Sequence, residues 1–94
     1  MEIKKTLEGD RLTLAPQGRV DTITAPEFEA ALPAEGVGEL VLDLSAVDYM
    51  SSAGLRVLLT AHKRMKGAMK VANVQPVVKE VFEITGFADI FTFA

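Results

Sequence analysis

The chain has 94 residues, a length that predicts one domain with one hydrophobic core. Hydrophobic residues make up 49% and charged residues 24%, which is typical of a globular protein rather than a disordered one. The net charge of -3 argues against nucleic-acid binding, which needs clustered lysine and arginine. Without cysteine, disulfides and cysteine-ligated zinc are excluded, and the cytoplasm is the expected location.

Targeting and membrane segments are not expected either. Residues 1–5 read MEIKK and are not followed by the apolar core of a signal peptide. No apolar run approaches the ~20 residues of a membrane-spanning helix. We therefore expect no membrane partner, and we treat residues 1–94 as a single domain because no repeat or linker divides them.

The first two predicted strands form a hairpin. Residues 2–7 and 11–15 have strand-like composition, and Leu12 and Leu14 alternate with polar neighbours. Gly9 begins a Gly-Asp pair between the two segments, and glycine adopts the positive φ that tight turns need. These features predict an antiparallel pair.

A first helix is predicted to begin after Thr24 and to run to about residue 32. Pro26 lies in its first turn, and Glu27 is three residues after Thr24, an arrangement typical of a capping box. Asp21, shortly before this helix, has two interpretations that residue type alone leaves open. It is either a turn-forming aspartate or part of a binding surface.

The central part of the chain combines a buried strand with a long helix. Residues 39–44 are mostly apolar, which predicts a strand at the centre of the sheet. Residues 48–59 are expected to carry a strand-to-helix turn, with a helix after Ser52 that reaches about residue 66. Ser51 and Ser52 lie at the start of that helix, where a hydroxyl either caps free N–H groups or accepts a phosphate that the helix dipole stabilises.

The remaining segments complete an α/β fold. A short strand at 69–72 precedes a helix that Pro76 opens and Gly86 ends, and an apolar tail predicts a last short strand. The order of elements predicts a mixed β-sheet with α-helices packed mainly on one face.

The sequence shows no combination of residues that is typical of a catalytic site. His62 is the only histidine, so a zinc site is not expected, and a serine without a neighbouring base is a poor nucleophile. Asp43 and Asp48 bracket the turn and leave a magnesium site as a minor alternative. We expect a binding protein with no enzymatic activity and no cofactor.

A family resemblance rests on residues 43–55, which read DLSAVDYMSSAGL, and on residues 18–21, which read GRVD. The first segment resembles the signature of STAS domains, specifically of bacterial anti-sigma factor antagonists. The resemblance implies that Ser52, two residues before the Gly-Leu pair, is phosphorylated by a partner kinase, with Ser51 as the less favoured acceptor. It also implies that Asp21 faces the partner.

The resemblance further implies a partner switch. The unphosphorylated protein would bind an anti-sigma factor serine kinase and free the sigma factor, and phosphorylation would end this binding until a PP2C-type phosphatase reverses it. The alternative is a non-phosphorylated STAS subunit of a lipid-transport ABC complex. Arg56 shares a helix face with Ser52, and Gly54 is small enough to leave the backbone open to approach from outside. The expected partner-binding residues are Asp21, Asp48, Ser51, Ser52, Gly54 and Arg56.

Overall fold

A computed structural model describes residues 1–33 and 36–94. These residues form strands in two sheets, three α-helices and one turn of 3-10 helix. In chain order the elements are β1 (Ile3–Glu8), β2 (Arg11–Pro16), β3 (Gly18–Val20), α1 (Ala25–Ala31), β4 (Glu39–Asp43), β5 (Val47–Met50), α2 (Ser52–Arg64), β6 (Met69–Ala72), α3 (Pro76–Thr85), the 3-10 turn (Phe87–Asp89) and β7 (Thr92–Phe93).

The larger sheet has the strand order β1-β2-β4-β6-β7, with β4 at its centre as predicted. β1 and β2 pair antiparallel, and the other neighbours pair parallel. Gly9 has a φ of 62° in the turn that joins β1 to β2. The predicted hairpin is therefore confirmed.

One face of this sheet carries the core. Thr13, Val41 and Lys70 are register neighbours on the opposite face, which stays partly exposed. The prediction of a mixed sheet with helices mainly on one face is therefore confirmed. The core combines sheet residues such as Leu14, Leu42 and Val71 with helix residues such as Phe28, Leu58 and Phe82.

The second sheet consists of β3 and β5, which pair parallel and were not predicted from the sequence. Val47 lies opposite Gly18, but Tyr49 lies opposite Arg19, so Asp48 is an extra residue in β5. This bulge lets the strand bury both of its ends and expose its middle. The prediction that the stretch 48–59 begins as a turn is therefore wrong for residues 48–50, which belong to β5.

The helix boundaries are close to those predicted. α1 begins after Thr24 and α3 spans Pro76–Thr85, as expected. α2 ends at Arg64 rather than near residue 66, because Lys66 and Gly67 adopt positive φ values of 52° and 86° that no α-helix accommodates. None of the helices in the described residues is long and apolar enough to span a membrane.

Candidate partner-binding and phosphorylation site

The predicted site residues lie in or next to the small sheet and in the first turns of α2. Asp21 directly follows β3, Asp48 lies in β5, and Ser52 is the first residue of α2. The backbone N–H of Ser51 donates a hydrogen bond of 2.9 Å to the carbonyl oxygen of Val20. This bond connects the end of β3 to the start of α2, and so brings the two segments of the family resemblance side by side.

The two serines at the start of α2 differ in accessibility. Ser52 is exposed. Ser51 holds the N-cap position with extended backbone angles, φ -91° and ψ 175°. Its Oγ atom is buried and makes no hydrogen bond to any described group. The prediction that a serine hydroxyl caps this helix is therefore wrong, because neither side chain bonds a first-turn N–H.

Gly54 has a packing role. A Cβ atom at this position would lie 2.8 Å from Cγ1 of Val20 and 2.9 Å from Cγ of Met50. The residue is buried, so the expectation that its backbone is open from outside is wrong. The missing side chain instead lets α2 rest directly on β3 and β5.

Asp21 forms a turn at the start of α1. Its Oδ1 accepts hydrogen bonds from the backbone N–H groups of Ile23 (3.0 Å) and Thr24 (3.1 Å). These bonds, chiefly the one from Thr24, lower the pKa of Asp21 from 3.8 although desolvation opposes them. The turn-forming interpretation of Asp21 is confirmed, and its contact with a partner stays a prediction.

The same turn replaces the predicted capping box. The hydroxyl of Thr24 donates to the carbonyl oxygen of Arg19 at 2.9 Å and accepts from the N–H of Asp21 at 2.9 Å. It makes no side-chain bond to the helix, so the capping box with Glu27 is wrong. The hydroxyl instead ties the end of β3 to the start of α1.

Three further residues of this surface were not identified from the sequence. The guanidinium carbon of Arg19 lies 4.1 Å from the ring centre of Tyr49, and its Nε lies 3.6 Å from Oδ2 of Asp21. Ile23 is 82% exposed and Tyr49 is 40% exposed. Only the pairing of β3 with β5 brings Arg19 and Tyr49 together, and that pairing leaves no local sequence signal.

Beside Ser52, a shallow groove of about 250 Å³ separates α1 from α2. Arg56 is exposed on its α2 side and Glu29 on its α1 side. The groove is open and has a mixed lining, so it has the character of a surface depression rather than an enclosed ligand pocket. Its lining residues are Thr22, Ala25, Pro26, Glu29, Ala53, Arg56 and Val57.

The aspartates near the turn do not build a metal site. The described residues contain no cluster of three or more histidine, cysteine or carboxylate side chains. Asp43 instead accepts hydrogen bonds from the backbone N–H of Ser45 (3.0 Å) and the side chain of Asn73 (3.2 Å). Burial raises the pKa of Asp43, but these bonds outweigh it and keep the pKa below 3.8.

Structural comparison supports the fold. An anti-sigma factor antagonist from Mycobacterium paratuberculosis superposes with a TM-score of 0.88 at 25% identity, covering 98% of this chain and 83% of that chain. The unphosphorylated form of SpoIIAA superposes with a TM-score of 0.80 at 16% identity, covering 99% and 88%. At that lower identity the likeness shows the shared fold alone.

Sequence comparison identifies the family. BtrV of Bordetella bronchiseptica, which carries the name of an anti-sigma factor antagonist, is 44% identical over 84 residues, covering 83% of this chain and 72% of BtrV. The anti-sigma-B factor antagonist of Listeria monocytogenes is 33% identical over 96 residues, covering 96% and 83%. The sequence model of the STAS domain matches residues 2–94. This chain therefore belongs to the STAS domain family, among relatives that are named anti-sigma factor antagonists.

Proposed function

We propose that this protein is an anti-sigma factor antagonist whose unphosphorylated form binds an anti-sigma factor serine kinase. Binding would withdraw the kinase from its sigma factor, which is then free. The names of the relatives support the general role. The exposed surface around Asp21, Asp48 and the start of α2 at Ser52 supports a place for the contact. In this role residues 1–94 act as one cytoplasmic STAS domain.

The contrast between the two serines carries the proposal of a phosphorylation switch. A kinase needs an accessible hydroxyl, and Ser52 is exposed whereas the Oγ of Ser51 is buried. Ser52 is also the first residue of α2, so the helix dipole and the free N–H groups of the first turn stabilise an added anion. Ser52 is therefore the phosphoacceptor.

The phosphate would act mainly on binding. It adds about -1.5 to -2 charge units to the proposed binding surface. Like charge or a buried, unpaired phosphate at an interface costs several kcal/mol, and each ~1.4 kcal/mol lowers affinity tenfold. The kinase supplies the nucleotide, magnesium and base, so this chain needs no catalytic group. A PP2C-type phosphatase restores the binding form.

The test begins with purified anti-sigma factor kinases encoded in the same genome, each incubated with this protein, Mg²⁺ and ATP. Intact mass reports the gain of one phosphate, and tandem mass spectrometry assigns its residue. Ser52→Ala abolishes the gain, and the matched control Ser51→Ala keeps it. The kinase that phosphorylates Ser52 is called the cognate kinase below.

Binding is then measured by calorimetry between the cognate kinase and each form of this protein. The unphosphorylated protein binds, and the phosphorylated protein binds at least about tenfold more weakly. Equal affinity for the two forms, or a phosphate on a residue other than Ser52, contradicts the proposed switch.

A further inference from the structure

Arg19 is held in place on an exposed surface. Its guanidinium carbon lies over the ring of Tyr49, 4.1 Å from the ring centre, and its Nε lies 3.6 Å from Oδ2 of Asp21. The Arg19 side chain is nevertheless 61% exposed. Among residues 1–33 and 36–94, Asp21 is the one residue that forms an ion pair with Arg19. Tyr49 and Asp21 therefore hold the side chain from within the protein, while its exposed part is accessible to a partner.

Such an arrangement is better suited to binding than to stability. An exposed ion pair contributes little to folding because solvent screens it and the side chains lose rotamer freedom. A guanidinium that is already ordered loses less entropy when it binds a further group. Its planar fork matches the two oxygens of a carboxylate, which a lysine ammonium does not.

Asp21 cannot easily offer its own carboxylate to a partner at the same time. Its Oδ1 accepts bonds from Ile23 and Thr24, and its Oδ2 faces Arg19. The carboxylate thus fixes both the turn that exposes Ile23 and the orientation of Arg19. Its role in recognition is to position these neighbours.

We propose that Arg19 is a specificity-determining residue that binds an aspartate or glutamate side chain of the anti-sigma factor kinase, with Tyr49 and Asp21 as positioning residues. This inference rests on the proposed function. The exposed ring of Tyr49 and side chain of Ile23 flank the contact and exclude water from it. Arginine and tyrosine dominate the strongest contacts in protein interfaces, which favours this arrangement.

The test compares the affinity of Arg19 variants for the cognate kinase. Arg19→Glu reverses the charge and lowers affinity by about tenfold or more. Arg19→Lys keeps the charge but loses the fork, and lowers affinity by a smaller factor. The matched control is Arg64→Glu, which makes the same charge change on the exposed last turn of α2 and leaves affinity within about threefold. Circular dichroism verifies that each variant is folded.

A rescue experiment identifies the chemistry of the partner group. Each aspartate and glutamate on the surface of the cognate kinase is changed to arginine and titrated with the Arg19→Glu variant. One of these changes restores at least part of the lost affinity. The absence of any rescue overturns the assignment of a carboxylate.

Other outcomes separate this inference from the function on which it rests. If no kinase binds the wild-type protein, both are overturned. If the wild type binds and Ser52→Asp weakens binding, but Arg19→Glu behaves like Arg64→Glu, only the role of Arg19 is overturned. If Arg19 variants change the affinity of the phosphorylated form alone, Arg19 serves the phosphate and the carboxylate contact is likewise overturned.

Discussion

Gly54 and Val20 are in such close contact that a Cβ on Gly54 would lie 2.8 Å from Cγ1 of Val20. Gly54→Ala therefore forces α2 away from the small sheet. Overpacking of a core costs about 1–3 kcal/mol, and the better helix propensity of alanine offsets about 1 kcal/mol. We expect a net loss, with the thermal midpoint falling about 4–8 °C per kcal/mol. A midpoint at or above that of the wild type contradicts this packing.

Ser51→Ala removes a hydroxyl that has no hydrogen-bond partner among the described residues. An N-cap serine that bonds the helix typically contributes about 1 kcal/mol, but this one makes no such bond. We expect the free energy of unfolding to stay within about 0.5 kcal/mol of the wild type in urea titrations. A loss of a full ~1 kcal/mol indicates that the hydroxyl caps α2 in solution.

Ser52→Asp separates folding from binding. A carboxylate at the exposed start of α2 is favoured by the helix dipole by about 0.3–1 kcal/mol, so thermal unfolding shows little or no loss. Binding to the cognate kinase weakens in calorimetry, since the new charge lies within the proposed binding surface and has no partner there in the complex. A fall of many degrees in the thermal midpoint argues instead for burial of this side chain.

Arg56 lies four residues after Ser52 and is exposed on the same helix. We expect it to reach a phosphate on Ser52, a contact worth about 0.2–1 kcal/mol because it is solvated. Arg56→Ala then leaves the affinity of the unphosphorylated protein for the cognate kinase unchanged. A tenfold or greater fall shows that Arg56 contacts the kinase directly.

Asp21 makes stability depend on pH in the acid range. Hydrogen bonds lower its pKa in the folded protein. Its contribution is therefore present above the unfolded pKa of about 3.9 and is lost as pH falls through the folded value. Asp21→Asn shows a smaller loss of thermal stability below about pH 4 than the wild type does.

The control for this pH dependence is Asp89→Asn. The Asp89 side chain is exposed and accepts no hydrogen bond in the described part of the chain. We expect its acid unfolding curve, followed by circular dichroism, to match that of the wild type. Equal curves for Asp21→Asn and the wild type would contradict a stabilising role of the Asp21 turn.

The sequence alone predicted those strands and helices whose apolar residues recur regularly or whose ends carry a clear signal. Leu12 and Leu14 alternate with other residues along β2, as a strand with one buried face requires. Pro76 and Gly86 mark the two ends of α3, where the backbone favours these residue types. β5 was not predicted, because its bulge at Asp48 removes the alternation of buried and exposed residues that identifies a strand. A strand without alternation cannot be distinguished from a turn by sequence alone.

The candidate site likewise has one part that the local sequence predicted and another that it did not. The position of Ser52 was recognisable because the local sequence encodes the start of α2. The contact of Arg19 with Tyr49 depends on the pairing of two distant strands. Thr24 was misassigned as a side-chain cap because the hydroxyl had a competing acceptor, the carbonyl of Arg19, that only the folded chain supplies.

The small sheet of β3 and β5 shares no strand with the five-stranded sheet. Its outward-facing positions, among them Arg19, Asp48 and Tyr49, contribute no side chain to the buried core. Substitutions at these positions therefore change the proposed binding surface without a cost in core packing. The residues that stabilise the fold and the residues proposed for recognition are thus largely separate sets in this chain.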